Sequence, residues 1–424
     1  MRPVRAHFYD KEKGVLDVNE RGKRGIRSGR IQKLVLFTHG IETLWYFSLQ
    51  LGKAFEKLGY EVFYFDQCHT YDSLSRLIDF CEPGVTAAVS FNFDGCSGED
   101  YMVDVHGINF FEAREIPFIN IVVDHPFYYH KFLPFLPADY TQVSIDREHM
   151  AYLHRFFPAI KRGPFMPLAG TSLWTEETLP GWEERTTEVV FTGNYTPPDR
   201  FERDITRIDD EYTAFYHGII DDFIAHPHMD MTQGITKHLW EEVEDITEEG
   251  IREIMPNMIM IDLYVRHYFR GEVVKQLADA GVRVTCFGAG WDQLPCRHPE
   301  NIICGGLVDS AACLLELSRA RISLNVMPWF KDGAHDRVFN SMLNGAVCFS
   351  DPSRYLQEEL EDGRDVIFYG LDDLGQLAER VRTLLRDREQ WERIHRHAYR
   401  TAEKRHTWAD RAYRLHSEIL CNIG

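Results

Sequence analysis

Short, nearly unbroken apolar runs alternate along the chain with longer amphipathic stretches. KLVLFTHG carries the first run, which ends at His39-Gly40. An amphipathic stretch then runs from Glu42 to Leu58 and stops at Gly59. EVFYFDQ, TAAVSFNFDG and IPFINIVVDHP repeat the apolar run. Runs of this kind suit strands buried on both faces. Separated by helical stretches, they predict a doubly wound parallel sheet.

Residues 201–260 break this rhythm with an acidic, helical stretch. A second α/β region begins at TEVVFTGNYTPP. It continues with a helix over about Asp262 to Asp279, with Leu263, His267, Val274 and Leu277 near one face. Then come VRVTCFGAGW, a helix around Cys313 to Ala320, ISLNVMPW, KDGAHDRVFNSMLNGAVCFSD and DVIFYG. Helices near 374–386, 388–403 and 407–419 close the chain. The economical architecture is two Rossmann-like domains facing a central cleft. Ligands are then expected at the carboxyl ends of the strands.

Polar residues collect at those ends. His39 and Gly40, Asp66 and Gln67, Asn92 and Asp94, and Asp124 and His125 follow strands of the first half. Gly193 and Asn194, then Gly288, Gly290 and Trp291, follow strands of the second. Loops are polar in any case. These positions, however, hold His, Asp, Asn and Gly rather than Lys, Glu and Ser. Gly288-Ala289-Gly290 lacks the third glycine of a dinucleotide fingerprint, and no Walker A motif is present, which argues against a nicotinamide enzyme or a P-loop kinase.

At 100° per residue, Val338, Phe339, Met342 and Leu343 form one arc of a short helix. Asp336, Arg337, Asn340 and Asn344 form the opposite arc. Gly333 and Ala334, leading through His335 into the helix, would leave its N-terminus open to a phosphate. Arg337, one turn in, would add a charge-assisted contact. Asp336 and Asn340 suit hydroxyl groups, and Gly345 suits a helix stop. The set fits a phosphorylated polyol; a plain solvated face is the alternative.

Composition narrows the classes. The chain of 424 residues is 44% hydrophobic and 27% charged, as in ordinary globular proteins of two or three domains. A formal net charge of -19 argues against nucleic acid as a partner. One basic cluster, Arg21, Lys23, Arg24, Arg27, Arg30 and Lys33, reads as a solvated arm or as a surface for an acidic partner. Nine cysteines with no Cys-x-x-Cys pair argue against a zinc site or a disulfide framework. His226-Pro227-His228 reads as surface histidines. No apolar run is long enough for a transmembrane segment and no signal-peptide core is present, so the expectation is a cytoplasmic protein. In that setting the sequon at Asn194 is idle.

These residues carry a resemblance. ISLNVMPWFKDGAHDRVFNSMLNGAVCFSD, DGRDVIFYGLDDLGQLAERVRTLL and KRHTWADRAYRLHSEI resemble group 1 (family-4-like) glycosyltransferases of the GT-B fold, in particular the spore-maturation CgeB-like branch. INIVVDHPFYY, FMPLAG and VVFTGNYTPPDRF look similar too. The likeness runs from about residue 33 to the end and is best over 320–420.

What the resemblance implies is an acceptor domain over 1–185 and a nucleotide-sugar domain over 186–405 with a helical insertion at 201–260. The last helix, within 406–424, would pack back on the first domain. It implies a nucleotide-diphosphate-sugar donor, a hydroxyl acceptor on a protein, peptide or saccharide, no cofactor, no metal and a retaining reaction. Two acidic residues separated by seven others mark the family's donor site, and here those positions are Asp332, towards the sugar, and Asn340, towards the ribose. An amide stands where the family has a carboxylate. The family's Arg after the FTG turn is also missing, and Arg337 or Arg200 would supply that charge. Asp124-His125 falls where relatives place a His near the donor sugar, suited to positioning or proton transfer; a strand-end His bonded to backbone is the alternative. His39 would face the same cleft or belong to a turn, and Trp291 would stack on the donor base or belong to the core. A GT-B epimerase or hydrolase and a non-catalytic nucleotide-sugar binder are the competing readings.

Overall fold

The computed structural model describes residues 31–133 and 136–423. The basic cluster at 21–30 lies outside these residues, and of it only Lys33 is described.

Two six-stranded parallel sheets organise the chain. The first contains β1 (Lys33–Thr38), β2 (Glu61–Asp66), β3 (Thr86–Phe91), β4 (Phe118–Val122), β5 (Tyr140–Ser144) and β6 (Lys161–Phe165), in the order β2-β1-β3-β4-β5-β6. The second contains β7 (Thr187–Thr192), β8 (Val284–Phe287), β9 (Ile302–Gly306), β10 (Ala320–Asn325), β11 (Val347–Ser350) and β12 (Ile367–Phe368), in the order β12-β11-β10-β7-β8-β9. Strands β3, β4, β5 and β11 are buried along their whole length, and β3, β4 and β11 accordingly read as nearly continuous apolar runs. Each order reverses once, between β1 and β3 and between β7 and β10. These are the two places where a doubly wound sheet opens a crevice.

Helices cover both sheets. In the first half α1 (Glu42–Leu58), α2 (Thr70–Phe80) and α3 (Arg147–Phe156) follow β1, β2 and β5. Gly59 ends α1 with φ 96°, where its N–H caps the carbonyls of Phe55 and Glu56. Between β7 and β8 lie α4 (Asp210–Ala225), α5 (Met231–Glu242), α6 (Glu248–Ile254) and the long α7 (Ile259–Asp279). Then come α8 (Ser310–Arg319), α9 (Asp336–Leu343), α10 (Arg354–Glu359), α11 (Leu377–Arg386), α12 (Arg388–Arg405) and α13 (Trp408–Glu418).

Three features position the cleft. Helix α13 leaves the second half and packs on the first. Its Trp408, Ala412 and Leu415 share a core with Leu44, Phe47 and Leu51 of α1, with Trp408 and Phe47 rings 5.3 Å apart. Helices α4–α6 join the core of the second sheet through Ile219, Phe223, Ile235 and Ile251 and also reach the first half, where Arg155 of α3 bonds Glu248 at 2.7 Å and Thr236 at 3.1 Å. Helix α7 starts at Ile259, three residues before the expected Asp262. It is buried nearly all round, with Leu263 only half-buried while Asp262, Val265, Phe269 and Arg270 are buried. Strands β5, β6 and β9 and helices α2 and α3 have no counterpart in the sequence reading.

Candidate functional site

A cleft of about 630 Å³ lies between the two sheets. Its walls come from the carboxyl ends of β1, β3, β4, β7, β8, β9 and β10, at and around both strand-order reversals. Two contacts pin the halves together beside it. At one end Glu42 of α1 accepts the Ser310 N–H (3.0 Å) and hydroxyl (2.9 Å) at the start of α8. At the other, Arg147 of α3 meets Asp332 at 2.9 Å and Glu358 at 2.8 Å, and Asp332 also meets Arg354 at 3.3 Å.

Three guanidinium groups, those of Arg266, Arg270 and Arg337, converge in the cleft wall. Helix α7 carries Asp262, Arg266 and Arg270 at four-residue intervals, which aligns them in one stripe. Arg266 donates to Asp262 Oδ2 at 2.6 Å, and Arg270 donates to the Asn194 carbonyl at 2.9 Å. Arg270 Nε and Arg337 Nη1 are buried with no hydrogen-bond partner in the protein. Burial pushes Arg270 well below its ordinary value, and its neighbours Arg337 and Arg266 add to this. Burial likewise lowers Arg337, with Asp336 opposing and Arg266 reinforcing the shift. Burial pulls Arg266 down too, but Asp262, Tyr128 and Asp124 carry it above its ordinary value. Like charges desolvated together are costly unless a counter-charge joins them. Asp262 and Asp336 offset part of that charge, and the unpaired donors on Arg270 and Arg337 suit an anion.

Glycines let the backbone close around it. Gly193 (φ 152°) and Gly288 (φ 135°) occupy the left-handed side of backbone space. A Cβ on Gly288 would collide with the Gly193 carbonyl oxygen, so the turns after β7 and β8 can meet only with glycine there.

The inner end of the cleft mixes carboxylates, imidazoles and aromatic rings. Asp124 accepts from Asn92 Nδ2 (2.8 Å) and the Tyr129 hydroxyl (2.9 Å). Asp262 is 1% exposed; its Oδ2 also accepts the Tyr128 hydroxyl at 2.7 Å, while Oδ1 has no partner. His125 Nδ1 accepts the Phe127 N–H at 3.3 Å, which leaves Nε2 as the protonated nitrogen, 3.4 Å from the Thr232 hydroxyl. Burial holds His125 well below its ordinary value, helped by His149 and His130, so the ring stays neutral.

Of the residues singled out from the sequence, the cleft brings together Asn92, Asp124, His125, Gly193, Asn194, Gly288, His335, Asp336, Arg337 and Asn340. It does not include the others. His39 pairs with Asp66 at 3.1 Å and stacks on Trp45 (5.4 Å) away from the cleft. Trp291 is 2% exposed, stacks on Tyr195 and donates to the Gly193 carbonyl; it is core beneath the site, with no face left for a base. Asp332 is 7% exposed and held by Arg147 and Arg354. Gly333 is bridged to Asp146 of the first half and Ala334 is buried, so neither lines the cleft, while His335 and Asp336 at the α9 N-terminus do. Asn340 lies at the cleft edge, but its side chain is engaged by the Thr171 N–H and by Asp336. Arg200 is on the surface beside Gln293, so of the two candidates for the missing charge only Arg337 reaches the cleft. Arg266, Arg270 and Asp262 escaped the sequence reading. Their signal was there, as charges at i, i+4 and i+8 in the largely apolar first half of the helix.

Comparisons with known proteins agree with this architecture. Residues 266–417 match the model of a glycosyl transferase-like family. No curated protein shows significant sequence similarity to the chain. Among solved structures, an alpha-glucosyltransferase in complex with UDP and a 13-mer DNA containing an HMU base is similar over 92% of this chain and 99% of its own, at 12% identity and a TM-score of 0.53. AviGT4, a glycosyltransferase involved in avilamycin A biosynthesis, is similar over 92% of this chain and 98% of its own, at 12% identity and a TM-score of 0.48. The chain is thus an α/β protein of the GT-B fold, and its second half carries a glycosyl transferase-like region. Among the described residues no helix is long and apolar enough to cross a membrane.

Proposed function

We propose that the protein is a glycosyltransferase that moves a sugar from a nucleoside-diphosphate sugar to a hydroxyl of a protein, peptide or saccharide acceptor. The observation that carries this reading is the convergence of Arg266, Arg270 and Arg337 at the carboxyl ends of the strands, between two Rossmann-like sheets. Three clustered cations, two of them with a hydrogen-bond donor unmet, suit a diphosphate, and they offset its charge without a metal ion. In the reaction the bond from the anomeric carbon to the β-phosphate oxygen breaks and the diphosphate leaves with the electron pair. The acceptor oxygen bonds to that carbon, and its proton passes to the departing diphosphate. The guanidinium groups stabilise the charge as it develops, and the closed cleft aims the hydroxyl. Neutral His125, in the cleft wall with Nε2 towards the Thr232 hydroxyl, is a positioning group beside the sugar.

Retention of anomeric configuration, the CgeB-like branch and a cytoplasmic setting belong to this proposal and rest on the motif resemblance and the sequence. One structural neighbour binds DNA, but the net charge of -19 makes a nucleic-acid acceptor a poor fit here. The test is thermal unfolding with UDP, GDP, ADP, CDP and TDP, then product analysis with the matching sugar nucleotide and an acceptor panel that includes hydroxymethyl-base DNA. A raised midpoint with one diphosphate and EDTA-resistant transfer are expected. No shift with any of the five would overturn the reading.

A further inference from the structure

We infer that Asp262 Oδ1 is the carboxylate oxygen that receives a hydroxyl of the transferred sugar, the place that the family resemblance gives to Asp332. This rests on the proposed nucleotide-sugar reading and assigns its sugar end.

Asp332 does not line the cleft and is neutralised by Arg147 and Arg354, so a sugar in the cleft finds no carboxylate there. Asp262 does line it. Its two oxygens are unlike. Oδ2 takes Arg266 at 2.6 Å and the Tyr128 hydroxyl at 2.7 Å, while Oδ1 is buried with no donor. A buried oxygen without a donor is costly, and native proteins rarely keep one without a use. Arg266 already balances the charge, so Oδ1 calls for a neutral donor, and a hydroxyl is that group.

Position supports the same ligand. Asp262 lies one helical turn before Arg266, about 6 Å along the axis. That is the scale on which a hexose ring follows a diphosphate. The surroundings are those of a sugar subsite. Trp329 Nε1 donates to the Asp262 carbonyl at 3.2 Å, and Phe330 lines the same end. Asp124, fixed by Tyr129, faces it from the other half. Aromatic faces with buried acceptor oxygens match the apolar faces and hydroxyl edges of a pyranose.

The experiment compares thermal midpoints of wild type and Asp262→Asn with UDP, UDP-glucose, UDP-N-acetylglucosamine, GDP and GDP-mannose. In wild type the best sugar nucleotide should shift the midpoint beyond its own diphosphate. In Asp262→Asn the diphosphate shift should stay and the extra sugar increment should vanish, with sugar-nucleotide affinity falling ~10–100-fold. An unchanged increment would overturn the inference, as would loss of both shifts in a folded variant, because Asp262 would then act only by holding Arg266. Should the variant not fold, deoxy analogues of the best sugar nucleotide on wild type decide: one hydroxyl must account for most of the increment, and retention by every analogue rejects the inference. Failure of every diphosphate on wild type would instead sink the nucleotide-sugar reading itself.

Discussion

Asn340 Oδ1 accepts the backbone N–H of Thr171 at 2.8 Å, tying α9 to the segment that leaves the first half. One turn on, Asn344 does more: it accepts the Leu173 N–H at 3.1 Å and donates to the Thr171 and Asn340 carbonyls, both at 2.8 Å. Gly170 lies so close that a Cβ there would sit 2.6 Å from the Phe339 carbonyl carbon. The polar arc of α9 therefore serves two masters, with Asp336 and Arg337 facing the cleft and Asn340 and Asn344 holding the crossing strand of chain. Asn344→Ala should cost about 2 kcal/mol of stability, since it leaves buried backbone groups unmet. Its diphosphate response should match wild type. Urea unfolding and thermal shift with the active diphosphate check both halves of the claim, and a lost diphosphate response in a folded variant would put Asn344 in the donor site.

This arc shows how far the sequence can be read. Helical spacing separated Asp336, Arg337, Asn340 and Asn344 from Val338, Phe339, Met342 and Leu343, and the structure keeps that division. Spacing reports which side of a helix a residue occupies. It does not report what lies across from it, so Asn344 could not be told from a ligand contact. The same limit hid Asp332, whose partner Arg147 is 185 residues away. Trp291 was ambiguous for a related reason, because a strand-end aromatic can turn either way and only packing against Phe191 and Tyr195 decides. The main strands and helices were legible because burial on both faces leaves an unbroken apolar run. β6, with the sequence KRGPF and a half-exposed edge position, leaves none.

Arg270 is buried beside two other guanidinium groups and keeps Nε unpaired. A cluster of this kind is held for its ligand at the expense of stability. Arg270→Met should leave the ligand-free thermal midpoint at or above that of wild type while reducing the diphosphate shift at least severalfold. A large fall in the ligand-free midpoint would mean that its bond to the Asn194 carbonyl matters more than the repulsion.

Asp332 joins Arg147 and Arg354 across the two halves, and both arginines keep much of their surface in water, at 40% and 60% side-chain exposure. Such partners recover hydration when the pair breaks, so Asp332→Asn should cost only about 1 kcal/mol. Wild type and variant should draw closer in 0.5 M salt. Sugar-nucleotide affinity should be unchanged, and a loss greater than that of Asp262→Asn would return the sugar contact to Asp332.

His149 is 2% exposed, packed against His125 and Phe330, with Nδ1 unpartnered. Burial pushes its pKa from 6.5 down to about 4, against the pull of Asp230, Asp124 and Asp262. The unfolded chain thus takes up a proton near pH 6.5 that the folded chain refuses until about pH 4. The stability this group contributes is complete above pH 6.5 and drains away as the pH falls towards 4. At pH 5 the loss from this one ring is about 2 kcal/mol. His149→Phe removes the titration and keeps an aromatic ring in the apolar setting. Its stability, measured by urea unfolding at pH 7.5 and pH 5, should therefore fall less between the two than that of wild type, by about that amount. Equal falls in both proteins would show that His149 is protonated in the folded state and paired with one of the three carboxylates that face it.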